Sequence, residues 1–170
     1  KMKKLFLLAT CYFVLTTAQA QRYAVIDSKY ILEKVPQYKE SQERLDQFSV
    51  QWQQEIDQKQ TAVDKMLKDF DAEAIMLSDE LKKKREDEIF NKEKELRDLQ
   101  KKRFGFEGDL FKKRQELIKP IQDRVYNAVQ KLAVDKQYDF ILDKSEGITV
   151  IFADPKLDRS DDVLRNLGVK

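Results

Sequence analysis

The chain has 170 residues, 38% of them charged and 41% hydrophobic, with four glycines, three prolines, one cysteine and no histidine. That composition rules out a disulfide framework and removes the usual zinc, haem and thiol-nucleophile sites, together with the commonest general base. Carboxylates are plentiful but alternate with lysines at surface spacing, so no catalytic constellation, cofactor or metal ion is expected.

Residues 1–20 read as a secretory signal peptide. "KMKK" is a basic start, "LFLLATCYFVLTT" an apolar stretch too short to span a bilayer comfortably, and "AQA" a small-residue cleavage signal. Cleavage is expected after Ala20, with export of the remainder. The only cysteine, Cys11, lies in this segment, so the mature chain has no thiol. Losing Lys1, Lys3 and Lys4 from the 33 basic residues leaves 30 against 31 acidic ones, a formal charge of −1. General attraction to nucleic acid is therefore not expected.

The mature chain opens with "RYAVIDS" (22–28), a short β-branched run read as a strand. "KYILEKVPQYKE" leads into a helix that Pro36 can open, because its missing N–H would have no partner in the first turn. From about Gln37 to Lys136 the chain is highly charged and nearly free of breakers. Leu45, Phe48, Trp52, Ile56, Val63, Leu67, Phe70, Ala74 and Leu77 follow a 3.6-residue period. Leu45, Ile56 and Leu67 recur every eleven residues, which makes a nearly straight stripe. Later, Ile89, Leu96, Leu110 and Leu117 fall at heptad multiples, with Arg103 filling the gap.

Two arrangements of this arm stay open. Ser78, followed by Asp79 and Glu80, is a good N-cap for a second helix and points to a turn at Leu77–Ser78. Leu81 keeps the phase of the stripe, which also suits one continuous helix. Pro120 should kink or restart the helix that holds it. The C-terminal stretch supplies two more strand-like runs, "YDFILD" and "ITVIF", joined at "KSEG", where Gly147 can take a positive φ. Ser160 then opens a short helix with Asp161 and Asp162 in its first turn and Gly168 after it.

The fold class is α+β, mostly α, with a small three-stranded β body and a long helical hairpin arm. The β body takes 21–36 and 137–170, including the short C-terminal helix, and the arm takes 37–136. Three short strands enclose little core. Val25, Ile26, Phe140, Leu142, Val150 and Phe152 are therefore expected to be covered by self-association.

Two end segments carry a resemblance. "YAVIDSKYILEKVPQYKESQERL" and "YDFILDKSEGITVIFADPKLDRSDDVLRNL" resemble the N- and C-terminal signatures of the Skp/OmpH family of periplasmic chaperones. The resemblance implies a homotrimer whose strands form a β body carrying three helical tentacles, here about 37–119 with a tip near Leu77–Ser78. It implies a periplasmic location and ATP-independent holding of unfolded outer-membrane β-barrel proteins. It also brings in lipopolysaccharide or the membrane surface as a partner. The well-known members are strongly basic, whereas this mature chain is near neutral. Its basic clusters at Lys82–Arg85, Lys101–Arg103 and Lys112–Arg114 are interleaved with acids, as on a solvated helix face.

One stretch of the arm stands out against its neighbours. "RFGFEGDLF" (103–111) holds three phenylalanines and two of the four glycines. Phe104 and Phe111 are expected to face clients, with Phe70, Phe90 and the tip residues Ile75, Met76 and Leu77 extending that surface. Phe106 and Leu110 are expected in the hairpin seam with Leu99, and Gly105 and Gly108 are expected to act as a hinge. The rival function for the same features is an exported coiled-coil adaptor or tether for one folded partner.

Overall fold

The computed structural model describes residues 21–145 and 150–169. The expected signal peptide lies outside the described residues, as do residues 146–149, which hold the second half of the "KSEG" turn and the start of the third expected strand. The chain folds as two compact units. One is made from its two ends, up to Ile31 and from Val125 onward; the other is Leu32–Arg124.

In the unit built from the ends, β1 (Tyr23–Ile26) pairs in parallel with β2 (Phe140–Asp143), in register from Tyr23 with Phe140 to Ile26 with Asp143. Parallel neighbours cannot be joined by a tight turn and need a crossover, usually helical. Here the entire helical region supplies it. Helix α1 (Ser28–Lys34) follows β1 at once, because Asp27 caps it: its Oδ1 accepts the Tyr30 N–H at 2.9 Å.

The other edge of β1 is also used. The Arg159 N–H donates to the Val25 carbonyl at 2.8 Å, beside an isolated parallel bridge from Val25 to Asp158. Among the described residues the sheet has two strands, where three were expected. Over its described part, Val150–Phe152, the third run forms no strand. With both edges of β1 engaged, a third strand has only the outer edge of β2 to join.

Side chains tie this unit together around the sheet. The Ser160 hydroxyl accepts the Asp27 N–H at 2.9 Å, and Asp143 Oδ1 accepts the N–H groups of Ser28 and Ser145 at 3.1 and 2.9 Å. Lys144 donates to Asp158 at 2.6 Å. Burial raises the Asp143 pKa, but the hydrogen bonds from Ser28 and Ser145 outweigh it and leave the group below its ordinary range. Asp158 is likewise lowered, with burial opposing the bonds from Lys144 and Ser160.

Two helix ends here share one motif. A 3₁₀ turn (Pro155–Leu157) leads to α6 (Ser160–Asn166), which ends with Val169 N–H on the Leu164 carbonyl and Gly168 at φ +73°. Helix α5 (Lys119–Lys136) ends the same way, with Tyr138 N–H on the Ala133 carbonyl, but places Gln137 at φ +56°. Glycine takes that left-handed position without cost; glutamine does not.

The arm unit is a hairpin. Helix α2 (Pro36–Glu73) opens on Pro36 and packs against α3 (Asp79–Phe104). Of the two open arrangements, the turn is the one formed: Ser78 caps α3, its Oγ accepting the Leu81 N–H at 3.4 Å. Ile56, Val63 and Leu96 make the buried seam, with Leu67 and Leu99 packed on it. Leu45 and Trp52 are buried on the same stripe of α2, as the eleven-residue spacing requires. After α4 (Asp109–Leu117) the helix restarts at α5 with Pro120 in its first turn. Pro120 stands where the N–H groups of a first turn have no partner within their own helix, so the proline removes no bond that the restart needs.

Candidate functional site

The arm is charged along most of its length, and that pattern fails at residues 103–111. Helix α3 stops at Phe104. Gly105 is extended (φ −69°, ψ 174°), Glu107 is left-handed (φ +54°), and Gly108 is extended again before α4 begins. What was expected to be a softened helix is a full break.

Both glycines are required by close approach. A Cβ on Gly105 would lie 2.3 Å from the Lys101 carbonyl oxygen, and one on Gly108 would lie 2.8 Å from that of Lys102. These are backbone atoms and cannot swing aside. Their positions are those of a fixed bend as much as of a hinge.

Arg103 holds the bend. It stands at the seam position where the heptad skips an apolar residue, and three elements converge on it. Its Nη1 donates to Asp109 Oδ2 at 2.7 Å, on α4, and its Nη2 donates to Glu55 Oε2 at 3.0 Å, on α2. The guanidinium lies 5.0 Å from the centre of the Trp52 ring, which stacks on Phe48 with centroids 5.6 Å apart. Lys113 covers the Phe48 ring at 5.3 Å. Only 21% of the Arg103 side chain is exposed, and its Nε is the one buried side-chain polar atom without a hydrogen bond among the described residues. The bond to Asp109 raises the Arg103 pKa; partial desolvation opposes it and Glu55 adds to it.

The Arg103–Asp109 bond and the break need each other. On a continuous helix, residues six apart lie about 120° apart around the axis and roughly 9 Å apart along it, so they are not neighbours on one face. Several contributions oppose one another at the break. A continuous helix would bury Phe106, worth about 2 kcal/mol, and relieve Glu107 of roughly 1–2 kcal/mol of left-handed strain. Against that stand two glycines in a helix interior, at about 1 kcal/mol each, and the lost ion pair, at roughly 1 kcal/mol.

Phe106 corrects a second expectation. It does not enter the seam with Leu99 and Leu110: 97% of it is exposed, because the break carries it off the helix face. Leu110 is half-buried. Phe104 and Phe111 are exposed as expected, so all three aromatics of the stretch are open to solvent. Elsewhere on the arm Phe90, Ile75 and Met76 are exposed, while Phe70 and Leu77 are half-buried.

In the other unit, Val25 and Ile26 are buried by their own chain, so self-association is not needed to cover them. Phe140, Leu142 and Phe152 are exposed and Val150 is half-buried. Tyr23 stacks on Phe140 with centroids 5.7 Å apart, and both remain accessible. The sheet thus offers an open apolar face.

Among the described residues no cluster of three or more acidic, histidine or cysteine side chains could hold a metal, and no helix is long and apolar enough to cross a membrane. The sequence reading missed Arg103 and its partners Glu55, Trp52 and Asp109 as a group. The signal was present: an arginine at a heptad position, glycines two and five residues after it, and an acid six residues on.

Residues 22–167 match the family described as outer membrane protein (OmpH-like). The chain belongs to the OmpH-like family. A crystal structure from Caulobacter crescentus CB15, designated a "putative outer membrane chaperone (OmpH-like)", superposes with a TM-score of 0.66 over 88% of this chain and 85% of that one. The two are 17% identical, so the likeness is one of fold. No curated protein matches this chain.

Proposed function

We propose that this OmpH-like chain is an ATP-independent, non-catalytic holdase that binds unfolded outer-membrane β-barrel proteins in the periplasm and keeps them from aggregating. The observation that carries the reading is the line of large apolar side chains left open on a charged hairpin, from Ile75 and Met76 at the turn, through Phe90, to Phe104, Phe106 and Phe111. Exposed apolar surface normally marks an interaction site. Aromatics and methionine, spaced along a surface otherwise kept soluble by charge, suit many weak contacts with unrelated apolar sequences. The designation of the Caulobacter structure supports the same role.

In this reading the exposed sheet face, with Tyr23, Phe140 and Leu142, meets other copies of the chain to make a homotrimer. Residues 1–20 direct export. The near-neutral charge gives lipopolysaccharide no general electrostatic pull, so any such contact rests on local clusters such as Lys82–Arg85.

The test is dilution of a urea-unfolded outer-membrane β-barrel protein into buffer with and without residues 21–170, following turbidity in the absence of nucleotide. Suppression near three subunits per client is expected. Unchanged aggregation at several-fold excess would overturn the holdase reading and leave the adaptor for a single folded partner.

A further inference from the structure

We infer that residues 103–111 form a two-state switch. In one state, the one described, Arg103 bridges Glu55 and Asp109 and Phe106 stands in solvent. In the other, α3 and α4 run on as one helix and Phe106 is buried in the hairpin seam.

Four observations converge. First, the spacing of Leu99, Phe106 and Leu110 is seven and then four residues, so a continuous helix places all three on the seam side. The sequence thus encodes a register that the broken state does not use. Second, the broken state contains a left-handed glutamate, Glu107 at φ +54°, which a continuous helix relaxes. Third, Arg103–Asp109 at 2.7 Å is a contact only the broken state can make, and therefore biases the equilibrium toward it. Fourth, no residue of α4 is fully buried, in contrast to Ile89 and Leu96 on α3, and what ties it to the hairpin is the Arg103–Asp109 bond, Lys113 over Phe48 and the half-buried Leu110.

The two states differ in whether a large aromatic is presented or withdrawn. The functional consequence rests on the holdase reading: the broken state offers Phe106 to a client and the continuous state hides it. The ion pairs are partly exposed, so the bias weakens with salt.

The experiment uses the Phe106→Trp variant and measures acrylamide quenching of the full chain without any client. Trp52 is buried and contributes a shielded background. In Phe106→Trp alone, emission from the introduced indole should be readily quenched. Adding Asp109→Asn, which strips the charge from the ion pair specific to the broken state, should lower the quenching constant of that indole at least twofold. Adding Gly105→Ala with Gly108→Ala excludes the broken state by backbone clash, so the indole should be shielded while far-UV helix signal is kept or rises. An indole that stays fully quenchable in the Asp109→Asn variant, with helix content unchanged, overturns the switch. Loss of helix in the alanine pair also overturns it, since the continuous register would then be inaccessible. These readouts need no client, so a failed turbidity assay leaves them standing.

Discussion

The two halves of the α2–α3 hairpin solve the same packing problem with opposite chemistry. Nearer the turn, Ile56, Val63 and Leu96 close an apolar seam and both helices run unbroken. Farther from the turn an arginine occupies the seam, the helix behind it breaks, and three phenylalanines face solvent. An apolar seam residue asks only for volume. Arg103 asks for partners at fixed positions, and Asp109 can reach it only if the helix is interrupted. Continuity and exposure are thus linked: the arm shows its aromatics where its seam is polar.

The comparison can be broken most forcefully at the apolar end. Leu96→Ala should cost roughly 3 kcal/mol, the usual cost of a core cavity, read as a lower urea midpoint by Trp52 fluorescence. A loss below about 1 kcal/mol would mean the seam is not the arm's main support. Arg103→Ala should cost less, about 1–2 kcal/mol, by stranding Glu55 and Asp109 and uncovering Trp52. Arg103→Leu sharpens the point, since it restores the heptad: it should recover most of that loss, whereas an arginine that matters only as a charge would give equal losses in both variants.

The two matching helix ends predict a smaller, paired effect. Gly168 sits at φ +73° with no atom within 4 Å of an added Cβ, so Gly168→Ala should cost about 1 kcal/mol from backbone strain alone. Gln137→Gly should gain up to about 1 kcal/mol, less whatever the Arg22–Gln137 bond contributes. Thermal melts of both variants check the pair, and a destabilised Gln137→Gly would show that the bond outweighs the strain.

Acid should distinguish the two units most gently. Asp143 and Asp158 have folded pKa values below their unfolded ones. Their contribution is therefore fully present above about pH 4, the unfolded carboxylate range, and is lost as pH falls through the lower folded values. Tyrosine near-UV signal should report the loss at the sheet before Trp52 fluorescence reports any in the arm. Coincident transitions would count against it.

Much of this is legible in the residues. Pro36, Ser78, Pro120 and Gly168 mark their boundaries because each acts locally, through a missing N–H, a cap or a positive φ; Ser160 begins its helix too, but its hydroxyl accepts the distant Asp27 N–H and caps nothing. The stripe of Leu45, Trp52, Ile56 and Val63 is periodic and therefore readable. The third strand is not, because "ITVIF" has strand composition while pairing depends on a free edge, and β1 spends its second edge on Asp158 and Arg159. Phe106 escapes for a related reason. Its spacing points into the seam, but whether the helix runs on is decided by a bond between Arg103 and an acid six residues away, which periodicity cannot register.

The parallel pairing of β1 and β2 also sets an order of events. Arg22 and Asp139, which bond beside the sheet, are 117 residues apart, so the first strand must wait for nearly the whole chain before it has a partner. The hairpin, built from nearer contacts, has the shorter search and should form first, shrinking the loop that the sheet must close. Each molecule then passes through an interval with its arm complete and its first strand unpaired. Anything that depends on the sheet face comes last in time although β1 comes first in sequence.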